Sequence, residues 1–330
     1  MKDRERMATA ARDAMAHVLD LEPSDRVLVV TDLETAACGE AFAQGAEDHG
    51  CAVTIYRLPA AGRPLREIPD DLPPFLDDTT VVINAIVGAA AEVPFRLKWI
   101  HAIEDTGRIR MGHSPGIDVD MMISGALSVD YGAMAKMAER LYAGFQDAVH
   151  VHLTTPAGTN LHLDLTGRTV TDDLKATVEV GANLPCGEVY CAPVEDGANG
   201  IVVVDGCFGS YGLVPSPVKI RVLDGLARGV VGDDSQIVEI INCLLDTDAG
   251  SRTIAELGIG LNSGARLTDC MLEAEKVLGT AHVAFGDNEG LGGGQSRSSM
   301  HVDYLLKKPT LEVTLKDGSQ RLVMQDGQVK

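Results

Sequence analysis

Five side chains in the second half of the chain are of the types that hold divalent metal: Glu188, Glu256, His282, His301 and Asp303. His301 and Asp303 stand two apart in Ser-Ser-Met-His-Val-Asp-Tyr-Leu (298–305). On a strand, positions 299, 301, 303 and 305 share one face. An imidazole beside a carboxylate then offers an ion two ligands from a single element, or simply forms a polar surface pair. His282 precedes the apolar run Val-Ala-Phe, so its ring enters a buried face, as a ligand or as a satisfied core histidine. Glu256 lies inside Ile-Ala-Glu-Leu-Gly-Ile-Gly-Leu (254–261), and Glu188 inside Asn-Leu-Pro-Cys-Gly-Glu-Val-Tyr (183–190). A buried carboxylate without a partner is costly, so each of them needs a metal, a lysine or an arginine. Together the five supply nitrogen and oxygen donors and no sulfur. Two divalent ions sharing a water need such a set, and Zn, Co or Mn suits it.

These residues need rigid elements to carry them. The first part of the chain alternates in period: helix at Met7–Leu19, strand at Arg26–Thr31, helix at Glu34–His49 stopped by Gly50, and strands at Ala52–Leu58 and Thr79–Ile86. Helix at Pro94–Glu104, strand at Arg108–Gly112 and a long helix at Tyr131–Ala148 follow. This alternation implies an α/β domain with a mostly parallel sheet, over residues 1–149. Beyond it the chain turns β-rich, with hairpins at Val149–Leu165 and Pro309–Val329 and strands at Gly200–Asp205 and Val218–Leu223. Helices at Ser235–Leu245 and Leu267–Leu278 interrupt it. Residues 150–330 therefore read as a β-rich α+β domain that carries all five donors. The Gly-rich run 290–294 between His282 and His301 permits close backbone approach, or is a flexible turn.

Composition removes several classes of function. The 330 residues carry 28 Lys and Arg against 48 Asp and Glu, a formal charge of −20. That balance, with no basic run, argues against nucleic acid and anionic membrane surfaces as partners. The seven cysteines are scattered and form no C-x-x-C pair, which fits reduced thiols in the cytoplasm better than disulfides or a thiolate zinc site. No apolar signal region opens the chain and no apolar run is long enough for a bilayer. The turn after the first strand, Thr31-Asp32-Leu33-Glu34-Thr35, lacks the glycines of a nucleotide site.

The same segments resemble the aminopeptidase T and aminopeptidase S family of dinuclear metallopeptidases, from about Tyr131 to Leu306. The shared pieces are Pro-Ala-Gly-Thr-Asn-Leu (156–161), Asn-Leu-Pro-x-Gly-Glu-Val (183–189) with Glu195, Ile-Ala-Glu-Leu-Gly (254–258), His282-x-Ala284-x-Gly286 and Ser299-x-His301-x-Asp303. The resemblance implies that Glu188, Glu256, His282, His301 and Asp303 hold two metals, with Glu256 bridging them or accepting the proton of the attacking water. It also implies a homodimer acting on small peptides. Glu289 stands where the family has a catalytic Tyr, the span between the two histidines is contracted, and Tyr304 points to the other face of its strand.

A second similarity is to the iron-dependent 2,5-dihydroxypyridine 5,6-dioxygenases, which have similarly short chains. It implies one Fe(II) held by His301, Asp303 and His282 or a glutamate, acting on a small-molecule substrate, with His113 as acid or base. A metal-binding protein without peptidase activity is the third reading.

Overall fold

The chain forms strands where its apolar residues run together and helices where alanine and the 3.6-residue period dominate, in a computed structural model that describes residues 2–209 and 211–330. In chain order the helices are α1 (Lys2–Val18), α2 (Ala36–His49), α3 (Val93–Glu104), α4 (Val119–Ile123), α5 (Tyr131–Phe145), α6 (Ser235–Leu245) and α7 (Met271–Ala274). The strands are β1 (Arg26–Thr31), β2 (Ala52–Arg57), β3 (Val81–Ile86), β4 (Arg110–Pro115), β5 (Ala148–Thr154), β6 (Asn160–Asp164), β7 (Thr171–Asp172), β8 (Ala182–Asn183), β9 (Glu188–Cys191) and β10 (Ala198–Val204). They continue as β11 (Cys207–Phe208), β12 (Gly212–Leu213), β13 (Val218–Leu223), β14 (Leu226–Val231), β15 (Ile254–Gly260), β16 (Thr280–Gly286), β17 (His301–Lys307), β18 (Thr310–Leu315), β19 (Gln320–Gln325) and β20 (Gln328–Val329).

Internal contacts divide the chain into two units: Met1–Tyr131 with Asp173–Cys186, and Gly132–Asp172 with Gly187–Lys330. The first unit holds a parallel sheet in the order β2-β1-β3-β4-β8. Its central strand β3 is buried along its whole length, as a strand covered on both faces must be. Leu28, Val30, Val82 and Met111 of the sheet pack with Phe95, Trp99 and Ile103 of α3. Ligands in such sheets bind where the strand order reverses, which is here between β1 and β3. Asp32 fills that crevice: it accepts from the amides of Thr35 (3.1 Å) and Val87 (2.8 Å), and Arg63 ties it to Glu92.

The second unit holds two antiparallel sheets. One runs β14-β13-β10-β6-β5-β18-β19-β20 and the other β12-β11-β17-β16-β15-β9-β7. Strand β13 alternates buried and exposed residues, whereas β15 and β16 are buried throughout. The expected α/β plus β-rich arrangement is therefore the fold observed. Two expected elements differ. The helix from Tyr131 ends at Phe145, and Ala148 already starts β5. The helix expected over Leu267–Leu278 shrinks to the single turn α7. The backbone of Asn262 takes the carbonyl of Lys276 (2.7 Å) and accepts from the amide of Leu278 (3.1 Å), so a tertiary pairing overrides helix propensity. Among the described residues no helix is long and apolar enough to cross a membrane.

Candidate metal centre

The register of one sheet brings the five donors together. Glu256 of β15, Ala284 of β16 and Asp303 of β17 lie in one cross-strand row. His282 pairs with Gly258, Glu188 of β9 with Gly260, and His301 with Gly286. Directly opposed residues of an antiparallel pair project from the same face, so all five donors share one face. The glycines between them leave the room that the side chains need. A Cβ on Gly258 would lie 1.9 Å from His282 Nε2.

The donors form two overlapping trios, Glu188–Glu256–His282 and Glu256–His301–Asp303, each with its ligand atoms within 4.8 Å of one another. His282 Nε2 lies 3.1 Å from Glu256 Oε1 and 3.3 Å from Glu188 Oε2. His301 Nε2 lies 3.3 Å from Glu256 Oε2 and 3.4 Å from Asp303 Oδ1. Donors bound to one ion at about 2.1 Å stand roughly 3.0–3.4 Å apart in octahedral or tetrahedral geometry, so the spacing fits a metal. His301 Nδ1 donates to the Asp287 carbonyl at 2.7 Å. That bond fixes the ring with Nε2 facing the carboxylates, as outer partners of ligating histidines do. His282 Nδ1 is buried without a hydrogen-bond partner.

The cluster concentrates negative charge away from water. Burial alone would lower the pKa of His282, but the Glu256 hydrogen bond and the charges of Glu188 and Asp303 override it and push it up to about 9. His301 is raised likewise: desolvation opposes the shift, and the Asp303 carboxylate with the Glu256 bond overcomes it. Glu256 is held well below the carboxylate range because both imidazoles outweigh its burial. A metal bound here would displace those protons, because a ligating imidazole must be neutral.

Other residues hold this centre in place. Asp248 accepts from Ser298 Oγ (2.8 Å), Ser299 N (2.6 Å) and Ser299 Oγ (2.7 Å), directly before His301. Glu195 accepts from Gln295 N (2.7 Å) and Asn288 Nδ2 (3.2 Å) and pairs with Arg168, so the Gly-rich run is tied at both ends. Glu289 turns to solvent and pairs with Arg297. Tyr304 lies on the opposite face of β17, fully buried against Phe208 and Phe285. In the first unit His113 is kept neutral, its pKa pushed down to about 3 by desolvation and by Arg96.

One participant escaped the sequence reading. Lys276 is fully buried, with its ammonium on Glu188 Oε1 and 2.8 Å from Glu275 Oε1. A basic partner for a buried glutamate was foreseeable in kind. Its position was not, because Leu267–Leu278 reads as a helix, and the structure has only the single turn α7 before Lys276.

The sequence profile of the thermophilic metalloprotease (M29) family matches residues 133–329. Aminopeptidase T of Thermus aquaticus and that of Thermus thermophilus are each 26% identical to this chain, over 44% of it. The match spans 39% of the length of those relatives. Among solved structures, 2,5-dihydroxypyridine dioxygenase from Pseudomonas putida KT2440 superposes with a TM-score of 0.73 at 17% identity, over 99% of this chain and 97% of that one. Wild-type AmpT from Thermus thermophilus gives 0.73 at 18% identity, over 98% and 99%. At such identities the two superpositions speak for the fold alone.

Proposed function

The chain belongs to the thermophilic metalloprotease (M29) family, and on that footing we propose that it is a metal-dependent aminopeptidase, removing N-terminal residues from peptides. The observation that carries this reading is the overlap of the two donor trios through Glu256. Glu188, Glu256 and His282 would hold one divalent ion, and Glu256, His301 and Asp303 a second. Glu256 turns one oxygen toward each imidazole, which suits it to be the shared ligand. Divalent ions in such a donor set polarise a carbonyl and lower the pKa of a water; Zn, Co or Mn fits the ligands.

The residues of the chain do the rest. The Asp287 carbonyl keeps the His301 ring oriented, and the strap tied by Asp248 and Glu195 carries His301 to the edge of the cluster. The excess of carboxylates draws a substrate's free α-ammonium group, which suits an amino-terminal rather than a carboxy-terminal end. Seven free thiols support a place in the reducing cytoplasm. A homodimer is part of the proposal through the family resemblance, and light scattering tests it.

The test is metal content measured alongside peptide turnover. Two divalent ions per chain, with release of N-terminal residues that stops on chelation and in His301→Ala, is the expected result. Peptide cleavage unchanged in His301→Ala overturns the site. Oxygen uptake on a hydroxypyridine that needs one ferrous ion, without peptide cleavage, replaces this reading with the ring-opening one. Bound metal with neither activity leaves a binding protein.

A further inference from the structure

The two donor trios differ in one respect that the proposed function does not use. Lys276 sits with its side chain fully buried, its ammonium in contact with Glu188 Oε1 and 2.8 Å from Glu275 Oε1. The backbone explains why it is there. Asn262 captures the carbonyl of Lys276, and α7 is packed through Ala274 and Met271 against Cys207 and Leu305. The segment after α7 is thereby pressed against the sheet, and Lys276 is directed at Glu188.

We propose that Lys276 makes the two metal positions unequal, so that the Glu256–His301–Asp303 position fills first and the Glu188–Glu256–His282 position fills second and empties first. The inference rests on the reading of the cluster as a metal centre and deepens it. The charge count carries it. Each position draws two carboxylates. In the Glu188 position, one of them already has an ammonium in contact; among the described residues, no Lys or Arg forms an ion pair with Glu256 or Asp303. In a buried setting a positive charge close to an incoming cation opposes it strongly, and the Glu275 carboxylate at 2.8 Å offsets this only in part because it lies on the ammonium and is no member of either trio. The contact also commits Oε1 of Glu188 and leaves Oε2 as the oxygen near His282, at 3.3 Å.

A second observation points the same way. His301 has its ring locked by the Asp287 carbonyl, whereas His282 Nδ1 has no hydrogen-bond partner. Outer partners of this kind raise metal affinity by about 10–100-fold. Lys276 is thus a positioning residue: it acts through Glu188 and, with no exposed surface, touches no substrate.

The experiment is equilibrium dialysis of the full chain against graded free Mn(II), then Zn(II), with bound ion per chain as the readout. The wild-type chain is expected to load in two steps. Lys276→Met keeps the length and removes the charge. Its second step should move to free-ion concentrations lower by about tenfold or more, with the first step in place. Lys276→Arg should keep the wild-type gap. Glu275→Gln releases the ammonium from its other partner and should move the second step to higher concentration. A second step that stays put or weakens in Lys276→Met overturns the inference. Should that variant fail to fold, a second step unmoved or tightened in Glu275→Gln overturns it. A wild-type chain that takes up no divalent ion overturns the metal-centre reading and this inference with it. Two ions whose steps ignore both substitutions overturn the inference alone.

Discussion

At the scale of single residues, the centre depends as much on what is missing from side chains as on what they carry. Glu256 presents one oxygen to each imidazole, so Glu256→Gln removes charge from both positions at once. Affinity for both ions should fall by more than the roughly 10–100-fold that a lost outer partner costs. Competition with a fluorescent chelator measures it, and a variant that still holds both ions at wild-type strength refutes the shared-ligand role. Gly258 is the converse case. Its Cβ would meet His282 Nε2 at 1.9 Å, with backbone fixed on either side. Gly258→Ala should therefore displace the ring and cost about 1–3 kcal/mol of stability, as overpacking does, together with metal at the His282 position. Urea denaturation with and without Mn(II) separates the two losses. Glu188, Glu256 and His282 stood out in the sequence because a Glu or His among apolar neighbours demands a partner; His301 and Asp303 stood out by their spacing, and the five were joined into one set by the family resemblance. The register shows why small residues alternate with them, Gly258 and Gly260 after Glu256 and Ala284 and Gly286 after His282: they share the face of the cluster. Lys276 was not legible, because what directs it at Glu188 is the long-range pairing with Asn262 and not any local pattern.

At the scale of elements, the register of β9, β15, β16 and β17 converts five positions spread from 188 to 303 into one cluster. Strands β1, β3, β5 and β13 were readable from apolar runs and alternation. Strand β15 was less so, because Gly258 and Gly260 break the strand pattern for the sake of the site. The strap before His301 belongs to this scale too. Asp248 anchors it through two hydroxyls and an amide, and those bonds hold its pKa well below the usual carboxylate value. A depressed folded-state pKa contributes stability above the unfolded value of about 3.9 and loses it as pH falls below. Asp248→Asn should thus unfold at lower urea than wild type at pH 7, with the difference shrinking below about pH 4. At pH 7 it should also loosen His301 and weaken one of the two ions by about 10-fold. A urea difference that stays constant into acid would show that the anchor does not act through its charge.

At the scale of the whole molecule, the change from alternating helices and strands to a strand-rich chain was visible in period, but the path of the chain between the units was not. Asp173–Cys186 returns to the first unit through β8, two residues that pair with β4 in parallel. A two-residue parallel pairing leaves no local signature, since its partner lies about seventy positions away. What this scale adds to function is linkage. All five candidate donors lie in the second unit, where three carboxylates stand against two imidazoles and the Lys276 ammonium. Any ion that binds the folded cluster and not the unfolded chain adds RT ln(1 + [L]/Kd), about 2.7 kcal/mol at one hundred times Kd. For a unit of this size that is a rise of roughly 5–10 °C in melting temperature. Calorimetry of the chain stripped with EDTA and then reloaded with Mn(II) should show that rise, and His301→Ala should abolish most of it. If the stripped and reloaded chains melt together, the carboxylate cluster is balanced by its own imidazoles and Lys276, and the donors are a buried ion-pair network in place of a metal centre.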